Sequence, residues 1–204
     1  MTVDLGIPGL AVEPGSHLCA FYGGYVERDE IMIPVLLDGM KARDRCICLV
    51  DRADPGSVLR TLEAEPSARP GLESNCLELV TWDSILASVK FEPDTILDFW
   101  ERSLKDALAK GWNFIRGMSE MSWGLRDHPG VDMFMIVEAK FNKIAVRYPQ
   151  VTICLYDLKL FGGKQLISIL KTHPQVLVAG VVHDNPYYEE PDDFLASQDD
   201  ETPG

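Results

Sequence analysis

Two glycines, Gly23 and Gly24, close the apolar run HLCAFY (17–22) and precede the charged stretch VERDEI, which opens an apolar helical pattern. A strand, a glycine turn and a helix start are the setting of a phosphate loop. Its chemistry needs a Lys for the phosphates and a Ser or Thr for magnesium at the helix start. This turn has neither. It carries Glu27, Arg28, Asp29 and Glu30, whose excess of carboxylates repels a triphosphate. A second Gly-Lys, Gly163–Lys164 in LKLFGGKQL, has Leu158 where the first glycine belongs and Gln165 where Ser or Thr belongs. ATP hydrolysis is not expected.

Other catalytic sets are as incomplete. A nucleophile elbow, G-x-S-x-G, is absent. Ser119 next to Glu120, with His173 and His183 flanking the last apolar run, makes a triad only on paper. His17, Glu120, Glu138 and His183 are possible metal ligands without diagnostic spacing. Cys19, Cys46, Cys48, Cys76 and Cys154 form no CxxC pair, and four of the five sit in apolar runs. They read as small buried hydrophobes, not as a disulfide framework or metal cluster. No catalytic residue, metal or cofactor is expected. His173, in KTHP, reads as a cation at a helix end.

The elements that must position these residues follow from periodicity. Apolar strand-like runs occur at 17–22, 45–51, 76–82, 112–119, 151–157 and 176–182. Amphipathic stretches lie between them, at 27–43, 54–65, 94–110, 131–147 and 162–172. Asp54 is placed to cap its helix, with Pro55 at the first position. Loops are expected at 66–70 and 126–130. The alternation predicts an α/β fold of three layers, a mostly parallel sheet with helices on both faces. Ligands of such sheets bind beyond the carboxyl ends of the strands. Reading those ends in order gives Tyr22, Glu27 and Arg28, then Asp51 and Arg52, then Trp82 and Asp83. Glu120 and Trp123 follow, then Tyr156 and Asp157, then His183, Asp184 and Asn185. A polar and aromatic rim of this kind suits a small organic ligand. Glu138 and Asn142, four apart, share a helix face and are expected to reach Glu120 or Trp123.

Composition bounds the rest. The chain has 204 residues, 46% hydrophobic and 25% charged, enough for one domain with a sizeable core. A net charge of −13 disfavours nucleic acid as a direct partner. No apolar run reaches the ~18 residues of a membrane span, and the N-terminus lacks a signal-peptide pattern. A cytoplasmic protein is expected. Glu189–Gly204 holds seven acids and no base and reads as a solvated, partly disordered tail.

The fragments HLCAFYGGYVERDEI, MSEMSW, VEAKFN, CLYD, THPQVLVAG and NPYYEEPDDFL, in this order and spacing, resemble the MEDS family, the methanogen/methylotroph, DcmR sensory domain. The likeness runs from about His17 to Phe194. It implies a RecA/KaiC-like fold with a degenerate phosphate loop and a sensory role, with hydroxylated hydrocarbon derivatives as proposed ligands. Members are often joined to DNA-binding or kinase modules, and none lies in these residues, so a separate signalling partner is expected. The family pattern falls on His17, Cys19, Tyr22, Glu27, Arg28, Glu120, Trp123, Glu138, Asn142, Tyr156, Asp157, Asn185 and Tyr187. The resulting division is an N-terminal extension (1–14), a sensory domain (15–188) and an acidic tail (189–204), with homo-oligomerisation plausible by analogy. The alternatives are an interaction module without a small ligand, or a nucleotide-binding switch.

Overall fold

The computed structural model describes residues 2–88, 92–126 and 133–200. A seven-stranded sheet forms the middle layer. Its chain order is β3 (Ser16–Tyr22), β4 (Arg45–Val50), β5 (Leu77–Thr81), β6 (Ile115–Glu120), β7 (Gln150–Asp157), β8 (Gln175–Val178) and β9 (Val181–Asp184). Across the sheet the order is β5-β4-β6-β7-β3-β8-β9, parallel throughout except for the last pair. β1 (Val3–Asp4) and β2 (Ala11–Val12) form a separate antiparallel ribbon.

Period-2 alternation sorts the strands' side chains into two cores. Leu18, Ala20 and Tyr22 face one side, with Cys46, Cys48, Met118, Ile153 and Leu155. Helices α1 (Tyr25–Ala42), α2 (Pro55–Glu63) and α3 (Arg69–Glu73) cover that side. Cys19 faces the other side, with Ile47, Leu49, Ile115, Cys154 and Tyr156. That side is covered by α4 (Trp82–Ser88), α5 (Pro93–Ala109), α6 (Phe134–Ala145) and α7 (Gly163–Thr172). Every residue of β6 and β7 is buried, as strands covered on both faces require.

Local signals act as expected at several ends. Asp54 accepts a hydrogen bond from Ser57 N at 2.8 Å, with Pro55 opening α2. Gly111, with φ +90°, stops the chain just beyond α5. α1 approaches the sheet so closely that a Cβ on Gly39 would lie 2.5 Å from Cys46 Sγ.

Three expectations are corrected. The run at 176–182 is not one strand but a hairpin, β8–β9, turning at Ala179 and Gly180 with φ 49° and 78°. Two consecutive positive-φ residues make the turn type that matches strand twist, and Ala-Gly hides it in an apolar run. The segment after 189 does not stay a solvated tail: Pro191–Asp200 forms α8, whose Phe194 is buried. Asp192 and Asp193 stand in its first turn, where the helix dipole favours acids, and Asp192 pairs with Lys143 of α6. The loop expected at 66–70 is helical, as the 3₁₀ turn Pro66–Ala68 and the start of α3; in the N-terminal extension Leu5, Leu10 and Val12 are buried against α1 and the sheet. The loop expected at 126–130 lies, from 127 onward, outside the described residues, as do 201–204.

Candidate functional site

The chemistry-bearing residues do not gather on one rim. They form two networks on opposite faces of the sheet, because the strands alternate. Glu120 ends β6 on the face of α1. Its Oε2 accepts three backbone N–H bonds, from Asp51, Arg52 and Ala53, at 2.7, 2.9 and 2.8 Å. Its Oε1 accepts from Arg28 Nη1 at 3.1 Å. Glu120 is fully buried and Arg28 nearly so. Burial works to lower the Arg28 pKa, but Asp29 and Glu120 outweigh it and raise the guanidinium above its ordinary value. The three N–H groups form a nest of the kind that binds anions, and a carboxylate of the chain itself fills it.

Next to this network, Ser122 Oγ donates to Asp51 Oδ2 at 2.5 Å, and Arg126 pairs with both Asp51 and Asp83. These bonds fix the 3₁₀ turn Ser122–Leu125, which carries Trp123. Trp123 stacks on Trp82 with centroids 4.3 Å apart, and Trp82 Nε1 donates to Ser119 Oγ at 3.1 Å.

The second network lies on the α6 face. β3 and β7 pair with Cys19 opposite Cys154 and His17 opposite Thr152, so His17 and Cys154 are diagonal neighbours on one face. α6 crosses above them and lowers Glu138 and Asn142 from successive turns. His173, just after α7, completes the set. Glu138 Oε2 lies 3.4 Å from His17 Nε2, 3.0 Å from His173 Nε2 and 3.2 Å from Tyr156 Oη. His17 Nε2 is 3.3 Å from Cys154 Sγ. The imidazoles of His17 and His173 lie 4.3 Å apart. All of these groups are buried.

Burial works to raise the Glu138 carboxyl, but the His17 and His173 imidazoles outweigh it and hold the carboxyl well below the ordinary carboxylate range. Burial, and then the nearby His17, push His173 below its ordinary value. Burial drives the Cys154 and Cys19 thiols up. The two shifts pull in opposite directions: the ionised carboxylate gains from a proton on the facing imidazoles, while burial disfavours charge on His173. His173 does end α7, as KTHP suggested, but it is buried and its charged form is disfavoured.

A small interior cavity of about 10 Å³ lies between this network and the indoles, roughly room for one water-sized molecule. Trp82, Trp100, Trp123 and Phe141 wall it, and His17, Glu138, Cys154 and Ser119 supply its polar side. A larger surface groove of about 590 Å³, lined by residues that include His17, Asn142, Lys143 and Asn185, opens at the other end of His17.

Of the residues singled out in the sequence, His17, Trp123, Glu138, Asn142 and Tyr156 meet around this interior space. Glu138 and Asn142 do not reach Glu120. Tyr22, Arg28, Glu120 and Asp157 lie at the carboxyl edge, where Asp157 Oδ1 accepts from Lys159 N. Glu27 accepts from the Gly23 N–H of its own turn. Cys19 is a core thiol whose Sγ faces Gln175 O at 3.8 Å. Asn185 and Tyr187 stand at the amino edge, since antiparallel β9 carries the chain back. Asn185 Nδ2 donates to the His173 and Leu170 carbonyls, and Tyr187 is exposed. Neither Glu120 nor His183 joins His17 and Glu138; His173 and Cys154 do, and sequence reasoning missed both. Their signal, a histidine and a cysteine in apolar surroundings, does not differ from that of core residues.

The strand order and the layers define a RecA/KaiC-like α/β protein. Solved structures of this class align well: a KaiC-like protein from Pyrococcus horikoshii at TM-score 0.62 and 14% identity, over 86% of this chain and 79% of that one. The flagellar accessory protein FlaH from Methanocaldococcus jannaschii aligns at TM-score 0.58 and 11% identity, over 84% and 76%. At these identities the likeness shows the fold alone. The chain belongs to the MEDS family, the MEthanogen/methylotroph, DcmR Sensory domain, whose model matches residues 16–174. It is also 26% identical over 171 residues to the transcriptional repressor DcmR of Methylorubrum extorquens. That match covers 82% of this chain and 61% of the repressor.

Proposed function

We propose that this chain is a non-catalytic, cytoplasmic sensory domain that binds a small organic molecule in the interior cavity and reports it to a regulatory partner. The observation that carries this reading is the pairing of an apolar indole wall with a polar side of His17, Glu138, Cys154 and Ser119 around one interior space. Sites for small molecules combine these two features. The space takes about one water-sized molecule, so a guest larger than water must displace the Trp82–Trp123 pair. The Trp123 turn is bonded to Asp51, next to the nest that holds Glu120. Displacement of the indoles therefore reaches the carboxyl edge, where a partner can read it. A one- or two-carbon alcohol, or a similar hydroxylated hydrocarbon derivative, needs the least displacement and matches the mixed polarity. Family membership and the repressor relative support the sensory, regulatory part of this reading.

The turn after β3 is, on this account, a phosphate loop that has lost nucleotide chemistry. It lacks the lysine, and the neighbouring nest binds Glu120 instead of phosphate. Thermal-shift measurements with small alcohols, aldehydes and halocarbons test the proposal, because a ligand stabilises the state it binds. A shift that disappears in Trp123→Ala supports it; no shift with any member of the series contradicts it.

A second reading, a docking module without a small ligand, has one observation in its favour: the Arg28–Glu120 network at the carboxyl edge satisfies itself internally. Under it the ligand series gives no shift, while a copurifying partner is lost on mutation of carboxyl-edge surface residues.

A further inference from the structure

We infer that His17 Nε2, His173 Nε2, the Glu138 carboxylate and Cys154 Sγ form a binding site for a divalent transition-metal ion, with zinc the best match to the donors. The site shares His17, Glu138 and Cys154 with the cavity of the proposed sensory ligand, but the inference does not rest on that ligand; it rests on where the lone pairs point.

The two histidine tautomers are fixed from behind. Asn142 Nδ2 donates to Thr172 O at 2.7 Å, which leaves its Oδ1 as an acceptor. His17 Nδ1, 3.0 Å from that Oδ1, must carry a proton and donate it. His173 Nδ1 lies 2.8 Å from Ile169 O, which can only accept. In neutral rings both Nε2 atoms therefore present lone pairs, and both point inward. Among the described residues, His173 Nε2, fully buried, has no hydrogen-bond partner despite lying 3.0 Å from Glu138 Oε2. Lone pairs that converge on a carboxylate repel it unless a cation stands between them.

The donor spacing fits such a cation. All four ligand atoms lie within 4.8 Å of one another. His17 Nε2 lies 3.3 Å from Cys154 Sγ and 3.4 Å from Glu138 Oε2, and His173 Nε2 is slightly closer to that oxygen, at 3.0 Å. Metal–ligand bonds of about 2.0–2.3 Å set tetrahedral donors roughly 3.3–3.8 Å apart. Two imidazoles, a thiolate and a carboxylate are a zinc-type set, softer than magnesium or calcium sites. The backing bonds from Nδ1 to an amide and a carbonyl are those that metal-ligating histidines use to hold their orientation. An entry path exists, because His17 and Asn142 line the open groove at the amino edge. The ion's charge also offsets that of Glu138, which has no Lys or Arg bonded to it among the described residues.

Cobalt(II) replacing zinc reports ligand type and geometry together. The full chain, stripped with chelator and titrated with cobalt(II), is expected to bind one equivalent. It should show the intense visible bands of a tetrahedral ion and a near-ultraviolet thiolate charge-transfer band. Cys154→Ser, a near-isosteric change, should remove the charge-transfer band and keep the visible bands. Cys46→Ser should change neither. Zinc should raise Tm of the stripped wild type and raise it much less in His173→Ala. No stoichiometric cobalt or zinc binding by a stripped chain with intact circular dichroism overturns the inference. So does a cobalt spectrum that Cys154→Ser leaves unchanged. Either result assigns the cluster to a proton shared between carboxylate and imidazole.

Discussion

Arg28, from the turn of α1, donates to Glu120 at the end of β6 across 3.1 Å, and the opposite oxygen of the same carboxylate caps three successive backbone N–H groups of residues 51–53. One carboxylate thus ties the first helix, the end of β4 and the end of β6 together. Removing it strands a buried guanidinium and three donors. Glu120→Ala is expected to lose about 3–5 kcal/mol of stability, the usual cost of breaking a buried pair by deleting one partner. Urea unfolding measures this as a lower midpoint at unchanged slope. A loss below ~1 kcal/mol would show that the network carries little.

The same bond bears on nucleotides. With the nest occupied and no lysine in the turn, Mg·ATP and Mg·GTP are expected to give no binding heat in calorimetry up to millimolar concentration. A saturable isotherm would restore the nucleotide-switch reading.

Trp82 Nε1 and Ser119 Oγ form the hydrogen bond that seats the indole pair beside the cavity. Ser119→Ala leaves the buried indole N–H without that acceptor and should cost about 1–3 kcal/mol. It should also red-shift or broaden the tryptophan emission as the stack loosens. Unfolding curves and fluorescence check the two effects on the same sample.

Phe194 is a buried apolar residue of α8, which packs on α6 and α7. Phe194→Ala is expected to cost about 3–5 kcal/mol, as for other fully buried Phe. Differential scanning calorimetry would detect the fall in Tm. A change below 1 °C would mean that the helix is only loosely docked.

The architecture was legible where pattern and physics coincide. The alternation of apolar and amphipathic runs gave the covered parallel sheet, and Asp54–Pro55 gave a helix start. What the pattern hid had specific causes. Ala179–Gly180 turns a hairpin without the Asn or Asp that usually announces one. Phe194 is a single anchor among acids, so composition outweighed it. The interior cluster was half legible: His17 and Glu138 were candidate ligands, while His173 and Cys154 passed for a helix end and a core thiol. Residues 17, 138, 154 and 173 meet only through the register of β3 on β7 and the crossing of α6, and no local spacing encodes either. The expected single rim failed for the same reason: residues at strand ends alternate faces, and Glu120 and Tyr156 point to opposite sides.

The proposed guest of the cavity beside Trp82 and Trp123 is a small organic molecule. Tryptophan fluorescence of the purified chain, titrated with one- to four-carbon alcohols, is the sharpest test of it. The prediction is a saturable change for the smallest members that fades as chain length grows and is absent in Trp123→Ala. A flat or merely linear response across the whole series, from protein with a native unfolding transition, would contradict it.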